Sequence, residues 1–237
     1  MSDKKNVAIL LSGGVGSRIS SDVPKQYMRK NGEMMITYVL RTLFESKRID
    51  GVSVVAGEAW RDEIRGDIEA LCGSDRCAHD QSVKLIGFAD PGENRQRSII
   101  NALEMLETER PETVFIHDAA RPYITQEMIN VCFDALGGHD GVLPVLPMKD
   151  TVYLSRDGIS VSELLDRSEV FAGQAPELFL YEVYLEANRR LSAEELLKIN
   201  GSTEPAIMAG MDIVMIPGDE RNCKVTTSVD MEKWLES

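Results

Sequence analysis

The residues best suited to chemistry in this chain lie near its start. The run Val7-Ala8-Ile9-Leu10-Leu11 ends in Ser12-Gly13-Gly14-Val15-Gly16-Ser17-Arg18, and Pro24-Lys25-Gln26 follows seven residues after the arginine. A continuous apolar run fits the fully buried strand of a parallel sheet. Glycines directly after such a strand let backbone N–H groups approach a phosphate, and the next helix points its positive end at it. An arginine and a lysine at short spacing suit a polyphosphate better than a single anion. The loop therefore reads as a nucleoside triphosphate site; the same residues also fit a glycine turn with two solvated cations. Two other glycine loops are excluded. Ile19 stands where a dinucleotide fingerprint needs its third glycine, and no Gly-Lys-Ser/Thr ending of a Walker A loop is present.

Stepping along the chain gives the elements that must position these groups. Val7–Leu11 reads as a strand, Met34–Phe44 as an amphipathic helix, Val52–Ala56 as a strand and Trp60–Leu71 as a helix. Lys84–Ala89 follows as a strand, then a helix from about Arg97 to Leu106, and the short buried strand Thr113–Ile116, which runs into His117-Asp118. A helix from Gln126 to Leu136 and the strand Gly141–Val145 continue the alternation. This order predicts an α/β fold, a mostly parallel sheet with helices on both faces, whose ligands sit beyond the carboxyl ends of the strands. The glycine loop, Gly92–Ser98 and Asp118–Arg121 all fall at that edge.

The rhythm breaks at Thr151–Val161, two strand-like runs about Asp157-Gly158 that predict a hairpin. An isolated hairpin is marginal in water. A β-arm over about 148–175 that pairs with a second subunit fits, as does packing back on its own domain. Tyr181–Leu197 then reads as helix, Ile213–Ile216 as strand, Asn222–Val225 as a short strand or strand end, and Ser228–Leu235 as a last helix. With no repeat and no low-complexity linker, residues 1–237 are expected to form a single domain.

Composition limits the alternatives. A formal net charge of −13 argues against a general nucleic-acid or anionic-membrane surface, though not against a small anionic substrate held by a local field. Cys72, Cys77, Cys132 and Cys223 lack zinc-like spacing and read as free buried thiols in a reducing cytosol. The N-terminus lacks a secretory pattern and no apolar stretch is long enough to span a bilayer, so a cytoplasmic location is expected.

Further segments in fixed order make the pattern specific: Gly92-Glu93-Asn94-Arg95-Gln96-Arg97-Ser98, Ile116-His117-Asp118-Ala119-Ala120-Arg121-Pro122, Pro147-Met148-Lys149-Asp150-Thr151, Asp166-Arg167, Gln174-Ala175-Pro176 and Asn222-Cys223-Lys224-Val225-Thr226. With the first loop, they closely resemble the 2-C-methyl-D-erythritol 4-phosphate cytidylyltransferases and the related ribitol 5-phosphate cytidylyltransferases, from about Val7 to Leu235. The resemblance implies a Rossmann-like nucleotidyltransferase, usually a homodimer that exchanges a β-arm. Such an enzyme uses CTP and Mg2+ to convert a polyol phosphate to a CDP-polyol with release of pyrophosphate. By motif, Ser12, Gly13, Gly14 and Gly16 with Arg18 would hold the triphosphate, Lys25 would neutralise it, and Lys224 would reach the α-phosphate, so that Arg18, Lys25 and Lys224 are the expected catalytic cations. Gly92, Glu93, Arg95 and Ser98 would line the base and ribose pocket, with Ala119 near the ribose and Asp118 holding the metal. Arg121, Thr151 and Arg167 would contact the polyol phosphate, the last two from either subunit.

The chemistry accounts for these residue types without the family. A phosphate oxygen attacks the α-phosphorus of CTP in line, two anions must meet, and fixed cations and backbone donors offset the charge that builds up. A phosphate monoester is itself nucleophilic at neutral pH, so no serine, cysteine or histidine nucleophile is needed. Several residues have plainer readings. His117 suits a strand-end histidine bonded to backbone, Arg97 a surface ion pair as well as a phosphate contact, and Arg121 a helix cap through Asp118. Trp60 and Trp234 read as core.

Two departures fall on the acceptor side. Ala175-Pro176-Glu177 stands where the family carries Thr-Pro-Gln, and its Thr-Asp segment is replaced near Gly201-Ser202-Thr203-Glu204-Pro205. The acceptor therefore stays open between methylerythritol phosphate, ribitol phosphate and another polyol phosphate. A nucleotidyltransferase using a different NTP, and a nucleotide-binding regulatory protein without turnover, are the competing readings.

Overall fold

The computed structural model describes residues 5–14, 23–73 and 84–237. Gly16 and Arg18 of the first loop, and Cys77, lie outside the described residues. Strand β1 (Asn6–Leu11) is followed by a 3-10 turn at Lys25–Tyr27, the two-residue strands β2 (Arg29–Lys30) and β3 (Glu33–Met34), and helix α1 (Met35–Phe44). Next come β4 (Gly51–Val55), α2 (Glu58–Cys72), β5 (Lys84–Ala89), α3 (Arg95–Met105), β6 (Thr113–Asp118), α4 (Gln126–Ala135) and β7 (Gly141–Pro147). After the small strands β8 (Val152–Leu154), β9 (Glu163–Leu165) and β10 (Phe171–Gly173) the chain forms β11 (Glu177–Leu180), α5 (Tyr181–Arg189), α6 (Ala193–Lys198), α7 (Glu204–Met208), β12 (Ile213–Pro217) and α8 (Ser228–Glu236).

The central sheet runs β10-β7-β11-β6-β1-β4-β5, with β12 on the other edge of β7. β1 pairs in parallel with β4 and β6, β4 with β5, and β7 with β12. Only β10 and β11 run antiparallel to their neighbours in this sheet. Strand alternation divides the core into two layers. Ala8, Leu10, Val52, Val54 and Phe115 face α1, α2 and α4, while Val7, Ile9, Val55, Val114 and Ile116 face α3, α5 and α7. Trp234 of α8 is buried with Met35, Val225 and Met231 in a third cluster, and Trp60 packs half-buried against the first.

The structure corrects four expectations. β11 inserts antiparallel between β6 and β7, where the alternation predicted no strand. The long helix over Tyr181–Leu197 is two helices, because the Ser192 hydroxyl and the Glu195 carboxylate form a capping box that starts α6 anew. Asn222–Val225 is not a strand; the Val225 amide donates to the Ala120 carbonyl at 2.8 Å, but no ladder follows. The hairpin pairs β8 with Glu163–Leu165 rather than with Ile159–Val161, since Asp157 Oδ1 accepts the Ile159 and Ser160 amides at 2.9 and 2.8 Å and closes its own loop. Of the described cysteines only Cys132 is buried; Cys72 and Cys223 are exposed, and all three are free.

Candidate functional site

The register of the parallel strands brings the glycine-rich loops together. Leu11 lies opposite both Val55 and Asp118, so β1, β4 and β6 end at one level. The Ser12 amide then donates to Val55 O, Ala119 N to Leu11 O and Ala56 N to Ala89 O, at 2.9 to 3.1 Å. Three loops thus leave the sheet side by side, at its carboxyl edge.

The first loop is held from below. Ser12 is buried, and its hydroxyl donates to Val55 O at 2.7 Å. Gln26 Nε2 bridges Ser12 O and Gly14 O at 2.6 and 2.7 Å, and the Tyr27 hydroxyl donates to Ser12 O at 2.8 Å. Tyr27 is itself fixed by stacking on Trp60, with ring centroids 4.3 Å apart. A Cβ on Gly13 would lie 2.5 Å from Pro91 Cβ, so glycine there lets the β1 and β5 loops touch. Gly14, by contrast, faces open space.

The β5 loop is built by its own helix cap. Asn94 Oδ1 accepts the Arg97 amide at 2.8 Å, and the Ser98 hydroxyl accepts the Gly92 amide and donates to Asn94 O, each at 2.9 Å. A side chain on Gly92 would collide with Arg97 Cβ at 2.5 Å. The last loop is pinned by Asn222, whose Nδ2 donates to Ala175 O at 2.8 Å while its own carbonyl accepts Arg121 Nη1 at 2.8 Å.

Asp118 is the electrostatic centre. Lys224 Nζ lies 2.9 Å from Oδ2, Arg95 Nη2 3.3 Å from Oδ1, and Arg121 Nε 3.7 Å from Oδ2. Burial pushes the Asp118 carboxyl up, but Arg95, Lys224 and Arg121 together outweigh it and hold it well below the usual carboxylate range. Burial pushes the neighbouring His117 down to about 4, so its imidazole is neutral, with Nε2 3.1 Å from Arg121 O. Glu177 lies behind Arg95; burial raises its carboxyl against the pull of Arg95.

A cleft of about 510 Å3 opens over these groups. Of the residues expected from sequence it is lined by Ser12, Gly13, Gly14, Lys25, Gly92, Glu93, Arg95, Ser98, Asp118 and Lys224. Ala119 is fully buried beneath it, and Ala120 lines it instead. Arg121 stands behind Asp118 rather than in the wall. Thr151 and Arg167 are exposed beside the β8–β9 hairpin, outside this cleft, with Arg167 Nη1 donating to Lys149 O at 2.9 Å. Arg97 is exposed and makes no ion pair with a described residue. Ala175 is buried and does not reach the cleft.

Gln26, Asn94 and Thr226 also line the cleft, and sequence reasoning gave them no role. Gln26 belongs to the Pro-Lys-Gln signature, and Asn94 stands three residues before Arg97 as a helix N-cap, so both carried a readable signal.

A mostly parallel sheet with glycine loops and cations at its carboxyl edge defines an α/β nucleotidyltransferase-like fold. Residues 6–234 match the 2-C-methyl-D-erythritol 4-phosphate cytidylyltransferase family, and the chain belongs to it. It is 31% identical over 231 residues to the 2-C-methyl-D-erythritol 4-phosphate cytidylyltransferase of Lachnospira eligens, covering 96% of each chain. The enzyme of the same name from Thermotoga neapolitana is 31% identical over 227 residues, 96% of this chain and 94% of the relative. The crystal structure of 4-diphosphocytidyl-2C-methyl-D-erythritol synthase from Anaerococcus prevotii shares the fold, with a TM-score of 0.79 at 21% identity over 98% of this chain and 95% of the other. The protein is a cytidylyltransferase, and among the described residues no helix is long and apolar enough to cross a membrane.

Proposed function

We propose that this protein transfers the cytidylyl group of CTP to 2-C-methyl-D-erythritol 4-phosphate, forming 4-diphosphocytidyl-2-C-methyl-D-erythritol and pyrophosphate. The observation that carries the reading is the convergence of Lys25, Arg95 and Lys224 with the Gly13-Gly14 loop on one cleft at the sheet edge. Both relatives quoted above bear that substrate in their names. Ala175, Ser202 and Thr203 are buried and none of them lines the cleft, so the acceptor reading rests on the relatives.

Asp118 is the shared anionic partner of three cations. The triphosphate would lie along Gly13, Gly14, Gly16 and Arg18 with Lys25 against it. Lys224 would exchange the Asp118 carboxylate for the α-phosphate, where negative charge grows as the acceptor oxygen attacks and pyrophosphate departs. A donor placed at such a point lowers the barrier by roughly 3–4 kcal/mol. Glu93, Arg95 and Ser98 would form the nucleoside side, with Ala119 and Ala120 below it. Arg121, Thr151 and Arg167 would serve the acceptor phosphate.

Magnesium fits this donor set. Two carboxylates, Glu93 and Asp118, line the cleft, and no group of three histidine, cysteine or acidic side chains among the described residues could cage a metal. Mg2+ is commonly held by one or two carboxylates plus substrate phosphates. Asp118 would hold it, and when bound it would neutralise charge across the phosphates.

The chain acts as one domain over 1–237 with an arm at about 148–175, and the arm dimerises it. What supports this is a set of exposed apolar side chains, Tyr153, Ile159, Val161 and Leu164, on a hairpin whose strands pair with no other strand among the described residues. A cytoplasmic location goes with this chemistry.

The test is pyrophosphate release from CTP and Mg2+ with methylerythritol phosphate, ribitol 5-phosphate and other polyol phosphates. Release with methylerythritol phosphate is expected; preference for ribitol 5-phosphate would overturn the acceptor. Stronger binding of ATP, GTP or UTP would overturn the nucleotide, and CTP binding without turnover would favour a regulatory protein.

A further inference from the structure

Glu177 is a carboxylate where sheet chemistry does not ask for one. It opens β11 opposite Ile116 of β6, and the following Leu178 and Phe179 are fully buried. Its own side chain is only 9% exposed and does not line the cleft. Burying an ionised carboxylate is costly unless donors surround it. Those donors are present: the Ser202 hydroxyl donates to Oε2, the Thr203 hydroxyl donates to Oε1 at 3.2 Å, and Arg95 Nη2 lies 3.7 Å from Oε2.

Arg95 ties this buried group to the cleft. Its Nη1 donates to Ser202 Oγ at 2.5 Å, while Nε and Nη2 reach Asp118 Oδ1 at 3.4 and 3.3 Å. Asp118 therefore divides its oxygens, Oδ1 for Arg95 and Oδ2 for Lys224. Arg95 thus lies between two carboxylates, Asp118 at the cleft and Glu177 behind it.

We propose that Glu177 is a positioning residue: through Ser202 and by its own charge it holds the Arg95 guanidinium against Asp118, and so sets the nucleotide affinity of the cleft. The inference rests on the functional reading for its binding readout but not for its structural one. Because Thr203 lies across from Glu177, the carboxylate can be moved from one residue to the other without leaving the site.

The experiment compares wild type, Glu177→Gln and the double variant Glu177→Gln/Thr203→Asp. Glu177→Gln keeps the shape and the Ser202 bond but removes the charge. It is expected to weaken equilibrium CTP binding about tenfold, the low end of what supporting groups behind a site contribute. The KM for CTP should rise while the KM for the polyol phosphate stays put. The double variant should regain CTP affinity to within about threefold of wild type, roughly the error of moving a charge within one site. A merely structural Glu177 would instead lower the folded fraction and leave both KM values unchanged, which overturns the proposal. Wild-type CTP affinity in Glu177→Gln, or a double variant that regains none, overturns it too. Should Glu177→Gln not fold, Ser202→Ala keeps the carboxylate and removes the bridge, and must weaken CTP binding about tenfold or more, the loss of a hydrogen bond to a charged group. If wild type itself fails to bind CTP, the functional reading falls separately. The Arg95 Nε–H resonance in a nitrogen-15 spectrum then decides: slow exchange in wild type and fast exchange in Glu177→Gln sustain the inference, and equal exchange ends it.

Discussion

Replacing Asp118 with asparagine keeps the shape of the site and removes the one charge that Lys224, Arg95 and Arg121 share. Removing one partner of a buried ion pair costs about 3–5 kcal/mol. Two features place this case at the low end: the Lys224 side chain is 37% exposed, and Arg95 keeps Glu177 at 3.7 Å. We take about 3 kcal/mol. For a chain of this length each kcal/mol lowers the melting temperature by about 2–4 °C, so Asp118→Asn should melt about 6–12 °C below wild type. The sign with pH follows from a carboxyl held below its ordinary value. Its stabilisation is fully present above about pH 4, the unfolded value, and is lost only as pH falls further, through the folded value. The deficit of Asp118→Asn should thus be constant from pH 7 to 5 and shrink below 4. An added anion should now do what the carboxylate did. Pyrophosphate with a chelator present should raise the melting temperature of Asp118→Asn more than that of wild type, although turnover is lost. Thermal scans with and without pyrophosphate measure both effects. A melting temperature within 1 °C of wild type, or the same pyrophosphate shift in both proteins, would refute the view that Asp118 stands in for a bound anion.

Lys224→Met should lower turnover about 10²–10³-fold with a small change in melting temperature, since its side chain is partly solvated; steady-state pyrophosphate release and a thermal scan check it. Lys25→Ala should reduce turnover with methylerythritol phosphate as well, and unchanged kinetics would remove Lys25 from the site. His117, pushed by burial down to about 4, must take up a proton on unfolding below about pH 6.5, so its stabilisation is complete above that value and is lost as pH falls towards 4. Across that window it accounts for about 3 kcal/mol, and urea titrations of His117→Gln without metal should show a correspondingly flatter pH profile. Ile159→Asp with Leu164→Asp should convert a dimer to a monomer in light scattering with no loss of melting temperature, because both side chains are exposed within one chain.

What could be read in the sequence follows from how each element is buried. Strands covered on both faces appear as apolar runs, so Val7–Leu11, Val52–Ala56 and Thr113–Ile116 were legible to within a residue or two. Glu177–Leu180 was not: four residues beginning with a glutamate and running straight into Tyr181 carry no periodicity that separates strand from helix. The break before α6 was signalled by Ser192 and Glu195, a capping box hidden by the helical pattern on both sides. Loop residues that touch a ligand announce themselves by type. Residues that hold those loops do not, because Gln26 acts through its amide on two carbonyls and Glu177 through an arginine 82 positions earlier in the chain. Such pairings exist only once topology has placed β11 beside β6.

The same topology reconciles an acidic protein with an anionic substrate. A net charge of −13 spread over solvated helix faces is screened within about 8–10 Å in physiological salt. At the cleft Arg95, Arg121 and Lys224 face Asp118 at short range, where screening is weak and low-dielectric walls focus the field. A small polyphosphate fits within that local field. The carboxylates on site answer a second need. Cations cannot be gathered in one place unbalanced, and Asp118 and Glu177 keep them together until a phosphate takes over part of that work. The same two acidic side chains thus hold the cations of the cleft in one place.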